Sequence, residues 1–288
     1  MNLQNIFSEI EKTDPEVYER LDTRRNMMKG FANLSGKLAL AAVPVALGSM
    51  LNKAYGQTST AITDVLQFAL TLEYLEAEFY TTGLAAPALI TADAQGSRAA
   101  FQQISAHETA HVSFLRATLT ALGQTPVAKP NFDFTAGNGS MAGPFVGVFT
   151  NFDIFLAVSQ TFEDTGVRAY KGQAPALIPN NDVLTAALQI HSVEARHASR
   201  VRKLRKDRNG IAIAGTLKPW IVLNQSNIGG AYAAPVQPSY NGEDNTIQGG
   251  VQIVNIGGQS ISASAASEAF DEPLTKAEVL AIVDPFII

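Results

Sequence analysis

The amino-acid sequence predicts an all-α protein built around a four-helix bundle with one long crossover and an extended C-terminal segment. Three observations lead to this fold class. Apolar residues recur at helical spacing in four segments, helix-capping or helix-breaking residues flank them, and a long link rich in proline and glycine separates the second from the third. Of the 288 residues, 46% are hydrophobic and 16% are charged, which permits a sizeable core.

Each predicted helix has a recognisable start or stop. Gly83, Gly123 and Gly172 are expected to end the first three helices, since glycine commonly follows a helix C-terminus. The run Pro-Asn-Asn-Asp at 179–182 is a strong start signal for the fourth helix. The predicted helices cover residues 60–82, 97–122, 151–171 and, after that signal, up to about residue 206.

The links between these helices differ in length. Short links join the first helix to the second and the third to the fourth, whereas residues 123–150 form a much longer central link. That link contains Pro126, Pro130, Pro144 and five glycines, so it does not hide another helix. A four-helix bundle with one long crossover is the ferritin-like arrangement.

A repeated Glu-x-x-His motif indicates metal chemistry in this bundle. The motif occurs once in the second helix and once in the fourth, and its spacing places a carboxylate and an imidazole on one helical face. The first and third helices each add one glutamate, which completes the ligand set of ferritin-like dinuclear carboxylate sites. The six candidate ligands are Glu73, Glu108, His111, Glu163, Glu194 and His197.

The two halves of the bundle repeat the same pattern. Glu73 is followed seven residues later by Tyr80, and Glu163 is followed seven residues later by Tyr170. This repeat is expected of a site with pseudo-twofold symmetry. The two tyrosines are candidate catalytic residues that relay electrons, but the sequence equally allows hydrogen bonds to site carboxylates or plain core packing.

Charge balance supports two metal ions. Four carboxylates facing one core are costly unless they are neutralised, and two divalent cations would neutralise them while two imidazoles complete the coordination. Iron and manganese suit such mixed oxygen and nitrogen ligands, so the expected cofactor is two Fe or two Mn ions. The alternative is that these glutamates lie on exposed faces and that the histidines are hydrogen-bonded core residues.

Four neighbouring residues are candidates for supporting the ligands. Glu76 lies one turn after Glu73 and is either an alternative ligand or a supporting group. His107 and His191 lie close in sequence to the paired glutamates and are expected to support them or to be hydrogen-bonded core residues, with metal ligation as the alternative. Asp164, beside Glu163, is a candidate supporting residue as well.

At these residues the chain resembles exported ferritin-like proteins related to the plant desiccation-related family. The similar runs are LEYLEAEFY at 72–80, AHETAH at 106–111, FEDTGV at 162–167, VEARH at 193–197 and FDEPL at 270–274. The resemblance implies a ferritin-like bundle with a di-iron or di-manganese centre at the six candidate ligands. The wider superfamily includes ferroxidases, peroxide reductases, manganese catalases and oxygenases, so the resemblance leaves the reaction open.

Residues 1–56 are predicted to be an export signal region. The segment Thr-Arg-Arg-Asn-Met-Met-Lys at 23–29 resembles a twin-arginine signal, and the apolar stretch 38–51 that follows is too short to span a bilayer stably. Ala-Tyr-Gly at 54–56 offers a cleavage site. The protein is then expected in the periplasm. The alternative is an amphipathic helix that ends in two arginines, in a cytoplasmic protein.

The bundle is expected to cover residues 57–208, and residues 209–288 are expected to wrap around it. This last part is rich in Gly, Asn, Gln, Ser and Pro, with room for a small hairpin and a short helix at 275–283 that opens with a capping box. Its apolar content and the low surface charge suggest self-association into a homo-oligomer. The net charge of −5 gives no basic surface for nucleic acid, and the absence of cysteine excludes thiolate chemistry.

The leading hypothesis is an oxidoreductase whose dinuclear centre reacts with O2 or H2O2, as a ferroxidase or in peroxide removal. The alternative belongs to another class: a non-catalytic stress-protection, desiccation-protection or envelope structural protein. In that alternative the metal site stabilises the fold or is vestigial.

Overall fold

The computed structural model describes residues 60–90, 96–208, 210 and 213–288, and these are dominated by four long helices. The helices are α1 (Thr60–Ala85), α2 (Ser97–Ala121), α3 (Phe152–Leu177) and α4 (Asn181–Arg208). The prediction of an all-α bundle with one long crossover is confirmed. The predicted export segment, 1–56, lies outside the described residues. In the part that is described, no helix is long and apolar enough to cross a membrane.

The bundle consists of two antiparallel helix pairs. Helix α1 packs along α2, and α3 packs along α4, while α1 also contacts α3. The crossover leads from the end of α2 to Asn151, whose side-chain oxygen accepts hydrogen bonds from the backbone N–H groups of Asp153 and Ile154 and so caps α3. This arrangement brings the middles of all four helices together.

Two glycines that the sequence analysis assigned to helix ends lie inside helices instead. A Cβ atom on Gly83 would lie 2.3 Å from Cε2 of Phe155, and one on Gly172 would lie 1.9 Å from the carbonyl oxygen of Leu274. Both glycines therefore allow close packing, and α1 and α3 continue past them. The predicted ends at these two positions were wrong, because close approach of a distant residue also demands glycine. Gly123, with a φ of 72°, does follow the end of α2 as predicted.

An aromatic cluster closes one end of the bundle core. Phe79 of α1 stacks on Phe155 of α3 with ring centroids 4.7 Å apart, and it meets the edge of Phe162 at 5.1 Å. Tyr80 and Phe101 add a stacked pair at 5.8 Å. Such rings bury large apolar areas in defined orientations, so they fix how the two helix pairs meet.

The C-terminal part packs against the bundle in short elements. These elements are α5 (Ala233–Val236), β1 (Ile247–Gln248), β2 (Val251–Gln252), α6 (Ala263–Ser267) and α7 (Lys276–Val283). Strands β1 and β2 form an antiparallel hairpin, and the Thr275 and Glu278 capping box begins α7. Phe286 then meets the edge of Phe162 at 4.9 Å.

Buried arginines join the bundle to this C-terminal part. Arg168 of α3 is 1% exposed and lies 2.7 Å from the carboxylate of Glu243. Its guanidinium also donates to the carbonyl oxygens of Ser239, Asn241 and Glu272, at 2.6 to 2.8 Å. The planar guanidinium group can donate to several acceptors at once. Arg168 therefore joins α3 to the C-terminal segment.

Candidate metal centre

Six buried side chains converge at the middle of the bundle. Glutamates 73, 108, 163 and 194 are 0% exposed, and histidines 111 and 197 are 9% and 4% exposed. Helices α1 and α3 contribute one glutamate each, and α2 and α4 contribute one Glu-x-x-His pair each. The structure therefore brings together all six candidate ligands of the sequence analysis, and it buries them rather than placing the glutamates on exposed faces.

The six residues form two overlapping groups. In each group every residue offers one ligand atom, and these atoms lie within 4.8 Å of one another. The first group is Glu73, Glu108, His111 and Glu194, and the second is Glu108, Glu163, Glu194 and His197. Glu108 and Glu194 belong to both groups, so two candidate ion positions would share these two carboxylates.

Each imidazole faces several carboxylate oxygens through its Nδ1 atom. The Nδ1 atom of His111 lies 3.1 Å from Glu73 Oε2, 3.0 Å from Glu108 Oε2 and 3.3 Å from Glu194 Oε1. The Nδ1 atom of His197 lies 2.8 Å from Glu108 Oε1. A single nitrogen cannot donate good hydrogen bonds to several oxygens at once. These distances therefore show that several carboxylates gather around each imidazole, and they do not describe separate ion pairs.

Several of these buried atoms have no hydrogen-bond partner. They are Glu108 Oε1, Glu163 Oε2, both carboxylate oxygens of Glu194, and His197 Nδ1. Glu108 Oε1 and His197 Nδ1 are only 2.8 Å apart, yet their orientation does not allow a hydrogen bond. Unpaired buried polar atoms are costly, and an ion between them would satisfy all of them together. The donor set thus fits metal ions.

The carboxylates and imidazoles change one another's pKa. Burial opposes the charged form of His111, but neighbouring carboxylates, Glu73 foremost, raise its pKa well above the ordinary value. Burial likewise opposes charge on His197, yet carboxylates led by Glu163 raise its pKa to about 11. For Glu108 the two imidazoles outweigh burial and lower its pKa. Without an ion, the neighbouring carboxylates thus favour the protonated form of both imidazoles.

Burial pushes the other carboxyl groups of the site towards their neutral forms. Burial raises the pKa of Glu73 to about 7, and burial also raises the pKa of Glu163. The pKa of Glu194 lies well above its ordinary value because of burial and then repulsion from Glu108. Without an ion, protons would therefore neutralise these carboxyl groups, and doubly charged cations would take the place of those protons.

The two tyrosines are hydrogen-bonded crosswise to the outer glutamates. Tyr80 of α1 donates to Glu163 Oε1 on α3, and Tyr170 of α3 donates to Glu73 Oε1 on α1. The second oxygen of each glutamate faces a histidine. Burial raises the pKa of both tyrosines, which keeps them protonated as donors. The hydrogen bonds to site carboxylates that the sequence allowed are thus present, and the role of the two tyrosines in electron relay stays a prediction.

His107 links the site to the protein surface. Its Nδ1 atom lies 2.9 Å from Nε2 of His197, and its Nε2 atom lies 2.5 Å from the side-chain nitrogen of exposed Gln103. His107 thus orients the imidazole of His197, as expected of a supporting residue. The sequence analysis missed Gln103, although its spacing of four residues from His107 on one helix was the available signal.

Glu76 supplies a fifth buried carboxylate, and it breaks the pseudo-twofold symmetry. It is 5% exposed, and burial followed by repulsion from Glu194 raises its pKa well above the ordinary value. The equivalent position in the other half, three residues after Glu163, is Gly166. A Cβ atom there would lie 3.1 Å from Glu194 Oε2 and 3.4 Å from Glu76 Oε1. Gly166 therefore leaves room for Glu76.

His191 and Asp164 lie away from the cluster. The Nδ1 atom of His191 is 3.0 Å from the carbonyl oxygen of Val167. Asp164 accepts hydrogen bonds from Arg202 at 3.1 and 2.6 Å and from Tyr240 at 2.8 Å. Asp164 thus joins α3 to α4 and to the C-terminal part rather than supporting Glu163. Its helical position, next to a ligand in sequence, turns its side chain to another face.

The comparison with protein families agrees with this geometry. The family described as ferritin-like domain matches residues 61–207, which is slightly more than half of the chain and includes all six clustered residues. No curated protein and no solved structure matches the chain. Four helices in two pairs with one long crossover, which carry a repeated Glu-x-x-His pattern, are typical of ferritin-like bundles. With the family match over more than half of its length, the chain belongs to the ferritin-like domain family.

Proposed function

We propose that this chain is an exported ferritin-like oxidoreductase with a dinuclear iron or manganese centre that reacts with dioxygen or hydrogen peroxide. The observation that carries the proposal is the set of buried carboxylate and imidazole atoms that have no hydrogen-bond partner and form two overlapping groups. Export through the twin-arginine pathway and kinship with desiccation-related proteins belong to the same proposal. They are motivated by residues 23–29 and by the sequence runs quoted above.

The side chains divide naturally between two ions. Glu73 and His111 would hold one ion, and Glu163 and His197 would hold the other, with two shared glutamates between them. Two divalent cations held there would balance these four carboxylates in charge and, as Fe(II) or Mn(II), would supply electrons for the reduction of dioxygen or peroxide. Ferroxidase activity and peroxide removal are the two reactions that this donor set supports.

The protein's own groups would keep the centre ordered and dry. Tyr80 and Tyr170 each fix one oxygen of an outer glutamate, so that the other oxygen points to the site. Phe79, Phe101 and Phe155 pack beside Tyr80 and exclude water from that end of the bundle. Preorganised ligands in a dry core are what a reactive metal site requires.

Metal analysis of the protein purified without added metal tests the proposal. We expect about two iron or manganese ions per chain, as in ferritin-like dinuclear sites, and a loss of both in the double variant Glu108→Ala/His111→Ala. Glu78→Ala is the matched control, because Glu78 pairs with Lys129 on the surface. Less than about one ion per chain, with unchanged stability in the double variant, would contradict a dinuclear site.

Activity separates the proposal from its alternative. The metal-loaded protein is mixed with Fe(II) and dioxygen in one assay and with hydrogen peroxide in another, and turnover in either supports an oxidoreductase. If metal is bound and neither substrate turns over, the metal is structural. The protein then acts in stress protection or in the envelope without catalysis.

Replacing both arginines of the proposed signal tests localisation. We expect Arg24→Lys/Arg25→Lys to leave the protein in the cytoplasm, as measured by cell fractionation. Replacing Lys53 by arginine controls for the change of basic residue outside the pair. Unchanged export of the double variant would contradict the twin-arginine pathway.

A further inference from the structure

A small cavity lies between the four helices, next to the candidate metal centre and on the side away from the aromatic cluster. Its walls come from the first half of α1, the last part of α2, the end of α3 and the beginning of α4. Its volume is about 20 Å³. On the same measure a cavity of about 10–15 Å³ holds one water molecule, so this cavity has room for one small molecule.

The cavity reaches the metal centre through Tyr170. This tyrosine forms part of the wall, and its hydroxyl donates to Glu73 Oε1. Leu72, the residue before Glu73, lies in the same wall. A molecule in the cavity is therefore separated from the candidate ligands by a single layer of side chains.

The chemistry of the walls selects an apolar occupant. Most of the lining consists of aliphatic and aromatic side chains, such as Leu72, Phe114 and Ile190. Thr118 also lines the cavity, and its hydroxyl is buried without a hydrogen-bond partner. The Tyr170 hydroxyl is already committed to Glu73. Gln173 also lines the cavity, from a partly exposed position. The buried part of the wall thus offers one free hydroxyl, which is too little for water or hydrogen peroxide, since a buried water needs about two to four polar partners.

We propose that this cavity is a binding site for molecular oxygen beside the metal centre. Dioxygen is apolar and small enough for the space, whereas hydrogen peroxide would lose its hydrogen bonds to water on entering these walls. The inference rests on the proposed function in one respect: it names dioxygen, rather than peroxide, as the oxidant that the centre receives. The existence of the binding site does not depend on bound metal.

Xenon binding to the metal-free protein tests the site directly, because xenon occupies small apolar cavities in proteins. We expect one xenon atom in crystals under xenon pressure, in contact with Leu72, Phe114 and Tyr170. Ala187→Val adds two methyl groups to the wall and should abolish this binding. Ala195→Val is the matched control, since Ala195 lies on the exposed face of the same helix.

A second variant distinguishes an apolar site from a polar one. Thr118→Val removes the unpaired hydroxyl while it keeps the shape of the wall, so xenon binding should persist. Loss of xenon binding in Thr118→Val, or equal binding in Ala187→Val and wild type, would overturn the proposal. Absence of xenon from the wild-type cavity would overturn it as well.

Steady-state kinetics of the metal-loaded protein test whether the cavity supplies dioxygen to the metal centre. We expect Ala187→Val to raise the KM for dioxygen by about tenfold or more, the effect of added carbon atoms in a small apolar site, and to leave the peroxide reaction unchanged. If xenon binds but neither dioxygen nor hydrogen peroxide is turned over, the proposed function fails and the apolar site stands. If dioxygen reacts equally well in both proteins, the centre is functional and the cavity is not its oxygen site.

Discussion

At the scale of single residues, the site is defined by how each carboxylate divides its two oxygens. Glu73 gives Oε1 to Tyr170 and turns Oε2 towards His111, and Glu163 does the same with Tyr80 and His197. The hydrogen bond to tyrosine removes a rotational degree of freedom from each glutamate. A ligand held in this way loses less entropy when an ion binds.

Replacing His107 tests whether support from outside the cluster matters. We expect His107→Ala to weaken metal binding by about 10–100-fold, because the orientation of His197 is then no longer fixed from its Nε2 side. Competition with a chelator measures the affinity. His191→Ala is the matched control, since the Nδ1 atom of His191 lies 3.0 Å from the backbone oxygen of Val167 and away from the cluster. Equal losses in the two variants would show that the effect is not specific to His107.

At the scale of helices, two glycines have a different structural role from the helix ends that the sequence suggested. Gly83 and Gly172 follow runs of helical periodicity and so resemble helix ends, but each lies where another part of the chain comes close. Local sequence cannot distinguish these cases, because the contacting Phe155 and Leu274 are distant along the chain. The apolar periodicity itself is local, and for that reason the existence and order of all four helices were predictable.

Substitution of Gly172 tests whether this glycine is required for close packing. Alanine is favoured over glycine in a free helix interior by about 1 kcal/mol, so a glycine without a packing role would give a more stable variant. We expect Gly172→Ala instead to lower the free energy of unfolding by about 1–3 kcal/mol, because the new methyl group overlaps the carbonyl oxygen of Leu274. Chemical denaturation measures the change, and a stabilised variant would contradict this account.

At the scale of the whole molecule, backbone hydrogen bonds join the crossover to the C-terminal residues. The backbone N–H of Asp133 donates to the carbonyl of Phe286, and the N–H of Ile288 donates to the carbonyl of Asn131, both at 2.9 Å. The Asp133 side chain is buried and organises the crossover by accepting bonds from Thr135, Gly139 and Met141. The last residues of the chain thus close the structure over its longest link.

The Asp133 carboxylate predicts a pH dependence of stability. Burial opposes its charge, but the hydrogen bonds from Thr135, Met141 and Gly139 outweigh burial and lower its pKa. The pKa of Asp133 in the folded protein therefore lies below its value of about 3.9 in the unfolded chain. The carboxylate then stabilises the fold fully above about pH 3.9, and this stabilisation is lost as the pH falls through the folded-state pKa. We expect Asp133→Asn to flatten this acid loss and to cost about 2 kcal/mol at neutral pH.

Thermal unfolding between pH 7 and pH 2 measures the effect. Asp207→Asn is the control, because Asp207 is exposed and pairs with Lys203 one turn earlier. If both variants follow the wild-type acid profile in parallel, Asp133 does not contribute as described.

The sequence by itself determined the helical class, the long crossover and the six clustered residues. These follow from periodicity and from a repeated spacing, and both are properties of neighbouring residues. Tertiary structure alone decided the hydrogen bonds from each tyrosine to the glutamate of the other helix, the ion pair between Asp164 and Arg202, and the cavity beside Tyr170. Such features depend on which helix faces which, and that choice is made by packing among residues far apart in the chain.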